Sequence, residues 1–372
     1  ISGSLINSTN APINVVYTIT PTSGASGNCV GSSFTLTVTV NPTPYVSDQT
    51  ASSCSGTAFT VAPLNGGSTS NIVPTGITYS WSAPTVTGGL TGGVSAIGQT
   101  IIAGNLTNPT NSIQTATYTV TPSTSLCTGL PFTVTVTINP KPFVTPRTET
   151  ICSGGTFTTT LTDGVPSSST IIPTGTTYSW SAPAAITGIS GLASGTNAST
   201  VSGTLTNSTN APIDVVYTVT PTSGEAGNCV GASFTVTVTV YPTPALSSTL
   251  TPADICSGTI FSYSATSNTQ LNPTFSWSRA AVAGISQASA TGSSASISET
   301  LTNTTNVPVS VTYVYTITAN GCTATRSFTI TQPTALVTSA LSQTNVSCNG
   351  GSNGTATVAV TGGTPGYTYS WA

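Results

Sequence analysis

The 372-residue chain carries four Lys and Arg, seven Asp and Glu, no His and no Met, with a net charge of −3 and a charged fraction of 3%, against about 25% in an ordinary globular domain. Four scattered cations form no stripe that could neutralise phosphates, which excludes nucleic acid and an anionic membrane surface as partners. No apolar run approaches the roughly 18 residues of a membrane helix, so this segment is not expected to insert into a membrane, and Ile1 opens no charged region followed by an apolar one.

Hydrophobic content of 37%, rich in Val and accompanied by dense Thr, still predicts a folded chain. Every periodic segment has period two. "VVYTITP" (15–21) is followed by "SFTLTVTV" (33–40), where Phe34, Leu36, Val38 and Val40 share one face and Thr35, Thr37 and Thr39 the other. Both return further along, as "ATYTVTP" (116–122) with "PFTVTVTI" (131–138), and as "VVYTVTP" (215–221) with "SFTVTVTV" (233–240). A weaker copy is "GCTATRSFTITQP" (321–333). The phrase Tyr-Ser-Trp ends at Trp81, Trp180 and Trp371, and Phe-Ser-Trp ends at Trp277. The tryptophans set a repeat of about one hundred residues.

Pro-x-Pro pairs (Pro42/Pro44, Pro140/Pro142, Pro242/Pro244) follow the strand-like runs and read as stiff linkers. They predict the second half of a unit over 1–42, full units over 43–142, 143–242 and a shorter 243–333, and the first half of a further unit over 334–372. Strands of about six to eight residues between Gly/Ser/Asn/Pro clusters fit an all-β tandem array of immunoglobulin-like sandwiches. No segment has helical periodicity. Residues 1–44 match 201–244 without a gap, which points to duplication of a two-unit block, and the chain is expected to be a fragment of a much longer protein.

Catalysis has no support: there is no histidine, and the seven acids (Asp48, Glu149, Asp163, Asp214, Glu225, Asp254, Glu299) are spread over several units. No cofactor is expected. Zinc would want C-x2-C pairs or His partners, and calcium several carboxylates in one shell, so no metal ligands are assigned. Lys141 is the only lysine, too few for an isopeptide bond in each unit. Trp81, Trp180, Trp277 and Trp371 are expected as core pins of the third strand rather than sugar-stacking platforms. With so few charges guarding the sheet edges, lateral self-association of chains is open.

Eight cysteines indicate disulfides in an oxidising compartment. Each full unit has one before its second strand (Cys54, Cys152, Cys256) and one in the turn before its last (Cys127, Cys229, Cys322). The default wiring stays within units, Cys54 to Cys127, Cys152 to Cys229 and Cys256 to Cys322, leaving Cys29 and Cys348 to partners outside the fragment. A parity argument competes with it. In a seven-stranded count the two turns lie at opposite ends of a unit, too far for a disulfide, and Cys54 would meet Cys229 and Cys152 would meet Cys322 across the junctions. The stretch 83–98 does not reveal the strand count, so both wirings stand.

The last stretch, "VSCNGGSNGTATVAVTGGTPGYTYSW" (346–371), resembles the opening half of the SprB-type repeat of Bacteroidota gliding adhesins. The units before it, with "ICSGGTF" (151–157), "TYSWSAP" (177–183) and "FTVTVTVYPTP" (234–244), resemble the PKD-like repeats that accompany it. The resemblance implies export by the type IX route, a cell-surface location associated with the outer membrane, and a structural stalk or filament serving adhesion and gliding. The adhesive ligand, a surface or glycan, would be bound elsewhere in the full-length chain, with the gliding and secretion machinery as further partners. The alternative is a set of spacer or carbohydrate-binding modules of a secreted polysaccharide-degrading enzyme.

Overall fold

The computed structural model describes residues 2–66, 70–269, 272–363 and 366–371. Among these there are strands and turns but no helix. The first segment is one antiparallel pair, β1 (Ile13–Ile19) and β2 (Phe34–Val40), with Ile13 opposite Val40 and Ile19 opposite Phe34. Its alternation matches the expectation, yet Phe34 and Leu36 are exposed, because no second sheet lies over them among the described residues.

The second unit holds β3 (Gln49–Cys54), β4 (Ala58–Val61), β5 (Thr78–Trp81), β6 (Thr85–Val86), β7 (Ala96–Gln99), β8 (Ile102–Asn105), β9 (Gln114–Ser123) and β10 (Phe132–Asn139). One sheet runs β3-β10-β9-β5-β7, with β6 also on β9, and the pair β4-β8 faces it. The third unit repeats the plan with β11 (Arg147–Cys152), β12 (Gly155–Thr159), β13 (Thr177–Trp180), β14 (Ile189–Ser190), β15 (Gly195–Ala198), β16 (Val201–Asn207), β17 (Ile213–Thr222) and β18 (Phe234–Tyr241). Its sheets are β11-β18-β17-β13-β15 and β12-β16-β14.

The fourth unit has β19 (Ile260–Ser264), β20 (Thr274–Arg279), β21 (Ala290–Gly292), β22 (Ser296–Thr300), β23 (Val309–Ala319) and β24 (Cys322–Gln332), in sheets β21-β20-β23-β24 and β19-β22. A last antiparallel pair, β25 (Val337–Thr344) and β26 (Thr355–Thr361), closes the described chain.

Nearly every pairing is antiparallel. Among the described residues two pairings are not: β3 runs parallel to β10, with Gln49 opposite Val134 and Cys54 opposite Asn139, and β11 runs parallel to β18 in the same way. The first strand of a unit therefore ends where its last strand ends, at the exit.

Alternation places Phe132, Val134, Val136 and Ile138 inside and their threonine neighbours outside. Aromatic rings from facing sheets close each core, Phe59 on Tyr118 at 5.7 Å between centroids, Phe157 on Tyr217 at 5.4 Å and Phe261 on Tyr313 at 5.2 Å. The three cores are separate clusters. Truncating Phe157→Ala should cost about 3–5 kcal/mol, the range for a buried aromatic. Urea unfolding followed by hydrogen exchange should show the loss in strands of the third unit and leave β9 and β23 protected.

Candidate functional site: the junctions between units

The polar groups of this chain converge at the ends of the sandwiches rather than in a cleft. At the exit end of each unit an asparagine is buried: Asn7, Asn108, Asn207 and Asn303. Asn207 shows the pattern. Its Nδ2 donates to the carbonyls of Ala211 and Val240, each at 2.8 Å, and its Oδ1 accepts from the Thr209 backbone N–H at 2.9 Å and hydroxyl at 2.7 Å. Asn108 does the same with Ser112, Ile138 and Thr110, and Asn303 with Val307, Gln332 and Thr305. Every donor and acceptor of a buried amide is thus used, which is the condition for burying it without penalty.

A serine ties this knot to the chain just before the second sheet, at the end of β3 and β11 in the second and third units and ahead of β19 in the fourth. Ser55, Ser153 and Ser257 each follow a cysteine, and their hydroxyls accept the N–H of Asn108, Asn207 and Asn303 at 2.9, 2.9 and 3.0 Å. Asn-x-Thr-Asn at 7–10, 108–111, 207–210 and 303–306 is the sequence signal of this knot, and reasoning from cores and cysteines alone passes it over. At Asn7, Asn207 and Asn303 the spacing also reads as a glycan acceptor, whereas Pro109 breaks that pattern at Asn108; in the folded chain both Nδ2 hydrogens of Asn207 are engaged. Replacing Asn207→Ala leaves the Val240 carbonyl and the Thr209 N–H unpaired, and should cost about 2–4 kcal/mol in urea unfolding of the chain.

The entry end of each unit is a tight turn. Gly129 and Gly231 lie so close to the carbonyls of Pro44 and Pro142, in the linkers entering their own units, that a Cβ at either position would overlap the oxygen. Gly129 N–H donates to Pro122 O at 2.9 Å and Gly231 N–H to Pro221 O at 2.8 Å, fixing the turn that carries Cys127 in one unit and Cys229 in the next. The linker is also held inside its own unit: Phe143 and Ile171 exchange backbone hydrogen bonds at 2.9 and 2.8 Å, as Tyr45 and Ile72 do at 3.0 and 2.8 Å.

Across the junction, Cys54 is bonded to Cys229 and Cys152 to Cys322, with Cα atoms 5.6 Å apart in each. Of the two wirings left open by the sequence, this is the one reached by strand parity, and the default of bonds within units is corrected. A first strand parallel to the last puts its end and the other's beginning at opposite ends of the sandwich, about 20 Å apart for six residues, where a disulfide needs less than about 7 Å. Cys127 and Cys256 therefore do not pair within their units, and together with Cys29 and Cys348 they are free thiols here. Asn111 Nδ2 adds a hydrogen bond of 3.0 Å to Asp163 across the same junction.

Of the expected core pins, Trp81 and Trp180 are buried, with indole N–H donated to Val94 O at 3.0 Å and Ala193 O at 3.1 Å. Trp277 is half-buried against Tyr313. Trp371 is corrected: it is 64% exposed, because no facing sheet covers it among the described residues.

The acids serve as local braces. Asp48 accepts the Thr133 N–H at 2.7 Å, a hydrogen bond that holds its pKa below the usual value. Asp254 accepts from Thr331 N–H and Asp214 from the Thr239 hydroxyl. Glu299 is paired with Arg279, whose side chain is 1% exposed; Nε lies 3.0 Å from Oε2 and Nη2 3.2 Å from Oε1, and the Tyr313 hydroxyl donates to Oε2 at 2.7 Å. Burial alone would raise the Glu299 pKa, but hydrogen bonds from Arg279 and Tyr313 and the Arg279 charge outweigh it and hold the carboxyl below its usual value.

A depressed carboxyl stabilises the fold above its unfolded pKa of about 4.3, and that contribution is lost as pH falls through the lower folded value. Glu299→Gln should destabilise the fourth unit by about 3–5 kcal/mol at neutral pH, since it leaves a buried guanidinium unpaired. The gap between variant and parent should narrow below about pH 4, read by urea unfolding across pH 3 to 7.

A tandem array of immunoglobulin-like sandwiches, joined covalently at their ends, is the class that this geometry defines. The profile of the PKD-like domain matches residues 1–44, 51–142, 149–244 and 253–333, and that of the SprB repeat matches 340–372. The chain belongs to the PKD-like domain family. No curated protein matches it. Among solved structures it is similar to a variant of titin domains I67–I69, at 10% identity and a TM-score of 0.30, covering 78% of this chain and 96% of that one. It is also similar to extracellular domains 3–5 of Drosophila OTK, at 10% identity and a TM-score of 0.27, covering 78% and 95%.

Proposed function

We propose that the chain is a stalk segment of an extracellular, adhesin-like surface protein, which holds a binding region away from the cell and transmits tension to it. The observation that carries this reading is the pair of disulfides placed at the junctions, where they add nothing to a unit's own core but resist bending and separation of neighbours. The PKD-like and SprB profiles support an extracellular adhesin-like setting. Within that setting we assign the segment to surface attachment and gliding, exported by the type IX route and associated with the outer membrane, with no catalytic role of its own. The surface or glycan ligand, and the gliding and secretion machinery, are partners of other parts of the parent protein. Side-by-side association of stalks belongs to the same reading, since threonine-covered sheets carry almost no charge to oppose it.

Burial of Trp81 and Trp180 speaks against the carbohydrate-binding alternative, because a sugar ring stacks on an exposed aromatic face. Antibody raised against residues 143–242 should label intact, unpermeabilised cells, and mild external protease should remove the label together with attachment to glass. Labelling that appears only after permeabilisation would overturn the surface assignment. Saturable binding of the purified chain to a glycan array would favour the carbohydrate-binding reading.

A further inference from the structure

The two disulfides do more than stiffen junctions, because their spans overlap: Cys54 reaches over Cys152 to Cys229, and Cys152 reaches over Cys229 to Cys322. Two covalent nodes result. One is Cys54/Cys229 at the junction of the second and third units, the other Cys152/Cys322 at the junction of the third and fourth. Three stretches of polypeptide connect the same two nodes, of about 98, 77 and 93 residues, and they contain the bodies of the second, third and fourth units respectively.

We propose that this wiring places three sandwiches mechanically in parallel, so that the block from 54 to 322 yields to tension as one unit. In an unbridged array the sandwiches are in series and the weakest unravels first. Here the nodes cannot separate beyond the length of the third unit until all three connecting stretches give way. Within the third unit, tension enters at Cys229, in the turn just ahead of β18, and leaves at Cys152, at the end of β11. These strands are parallel neighbours, registered from Arg147 opposite Val236 to Cys152 opposite Tyr241. Their ladder is therefore sheared, with its hydrogen bonds strained together, rather than opened one bond at a time. The wiring gives this property to the chain whatever the parent protein binds, so it stands or falls apart from the adhesin reading.

Single-molecule stretching of the full chain between its termini tests it. Oxidised chain should give no separate release of one unit, and its final contour should be about half that of the chain in reductant, about 180 residues of covalent path against 371 at roughly 3.4 Å each. Reduced chain should release the three units one by one, about 300 Å at a time. The double variant Cys54→Ser/Cys229→Ser should release the second unit alone and keep 153–321 closed off by the remaining bond. Successive 300 Å steps from oxidised chain, or a contour unchanged by reductant, would overturn the proposal. The comparison of oxidised with reduced parent chain decides it even where the variant fails to fold.

Discussion

Buried at the exit end of each sandwich, one asparagine, through its side-chain amide and its own backbone, holds separate parts of the unit to a single point. Asn207 joins the stretch that it begins, the last strand through Val240, and the first strand through Ser153. These are the three pieces that must stay in register for Cys152 to face Cys322. The tie to Ser153 runs through the backbone N–H of Asn207, but the contacts to Ala211, Val240 and Thr209 need the side chain: a serine or threonine could satisfy one of these, and only a group with two donors and a two-lone-pair acceptor satisfies all of them. At the junction of the second and third units, with Asn108 fixing the exit end and the Gly231 turn fixing the entry end, Cys54 and Cys229 arrive 5.6 Å apart.

Parallel pairing of the first and last strands is the second constraint, and it explains why the chain builds outward instead of closing each unit on itself. A unit whose first strand ran antiparallel to its last would bring its own cysteines to the same end. The pairing of Cys54 opposite Asn139 instead leaves that cysteine at the seam, pointing its chemistry to the neighbour. The same seam is where the proline linkers enter, so covalent and non-covalent ties between units are concentrated in one short zone.

Much of this was legible in the sequence because period-two alternation is strict: "FTVTVTI" admits one register against a core, and a slip would bury threonine. The cysteines were legible only as far as two wirings: strand parity pointed to the bonds across the junctions that the structure shows, but strand direction within a sheet leaves no mark on composition, so the sequence could not decide between them. The stretch 83–98 hides a two-residue strand, β6, and a bulged one, β7, which pattern does not separate. The asparagine knot could have been read, because Asn-x-Thr-Asn recurs at the unit spacing, but its glycan-acceptor look conceals a structural role. The Arg279–Glu299 pair left no signal, being twenty residues apart with no motif around either.

That pair nevertheless shows how the repeat diverges. In the alignment set by the Trp and Asn landmarks, Arg279 stands where the second and third units have Ala83 and Ala182, and Glu299 where they have Gly104 and Gly203. In those units the glycine lies directly beneath the ring of Phe59 or Phe157, where an added Cβ would press on the ring. The fourth unit has an ion pair in place of both small residues, with Phe261 opposite Glu299 and the Tyr313 hydroxyl donating to that carboxylate. Either charge without the other would leave its partner unpaired against the core, so the two positions are energetically coupled. Such a difference between units is tolerable because each core is its own cluster: the interior of the fourth unit differs from the others while Cys322 and Asn303 hold the same places at its ends.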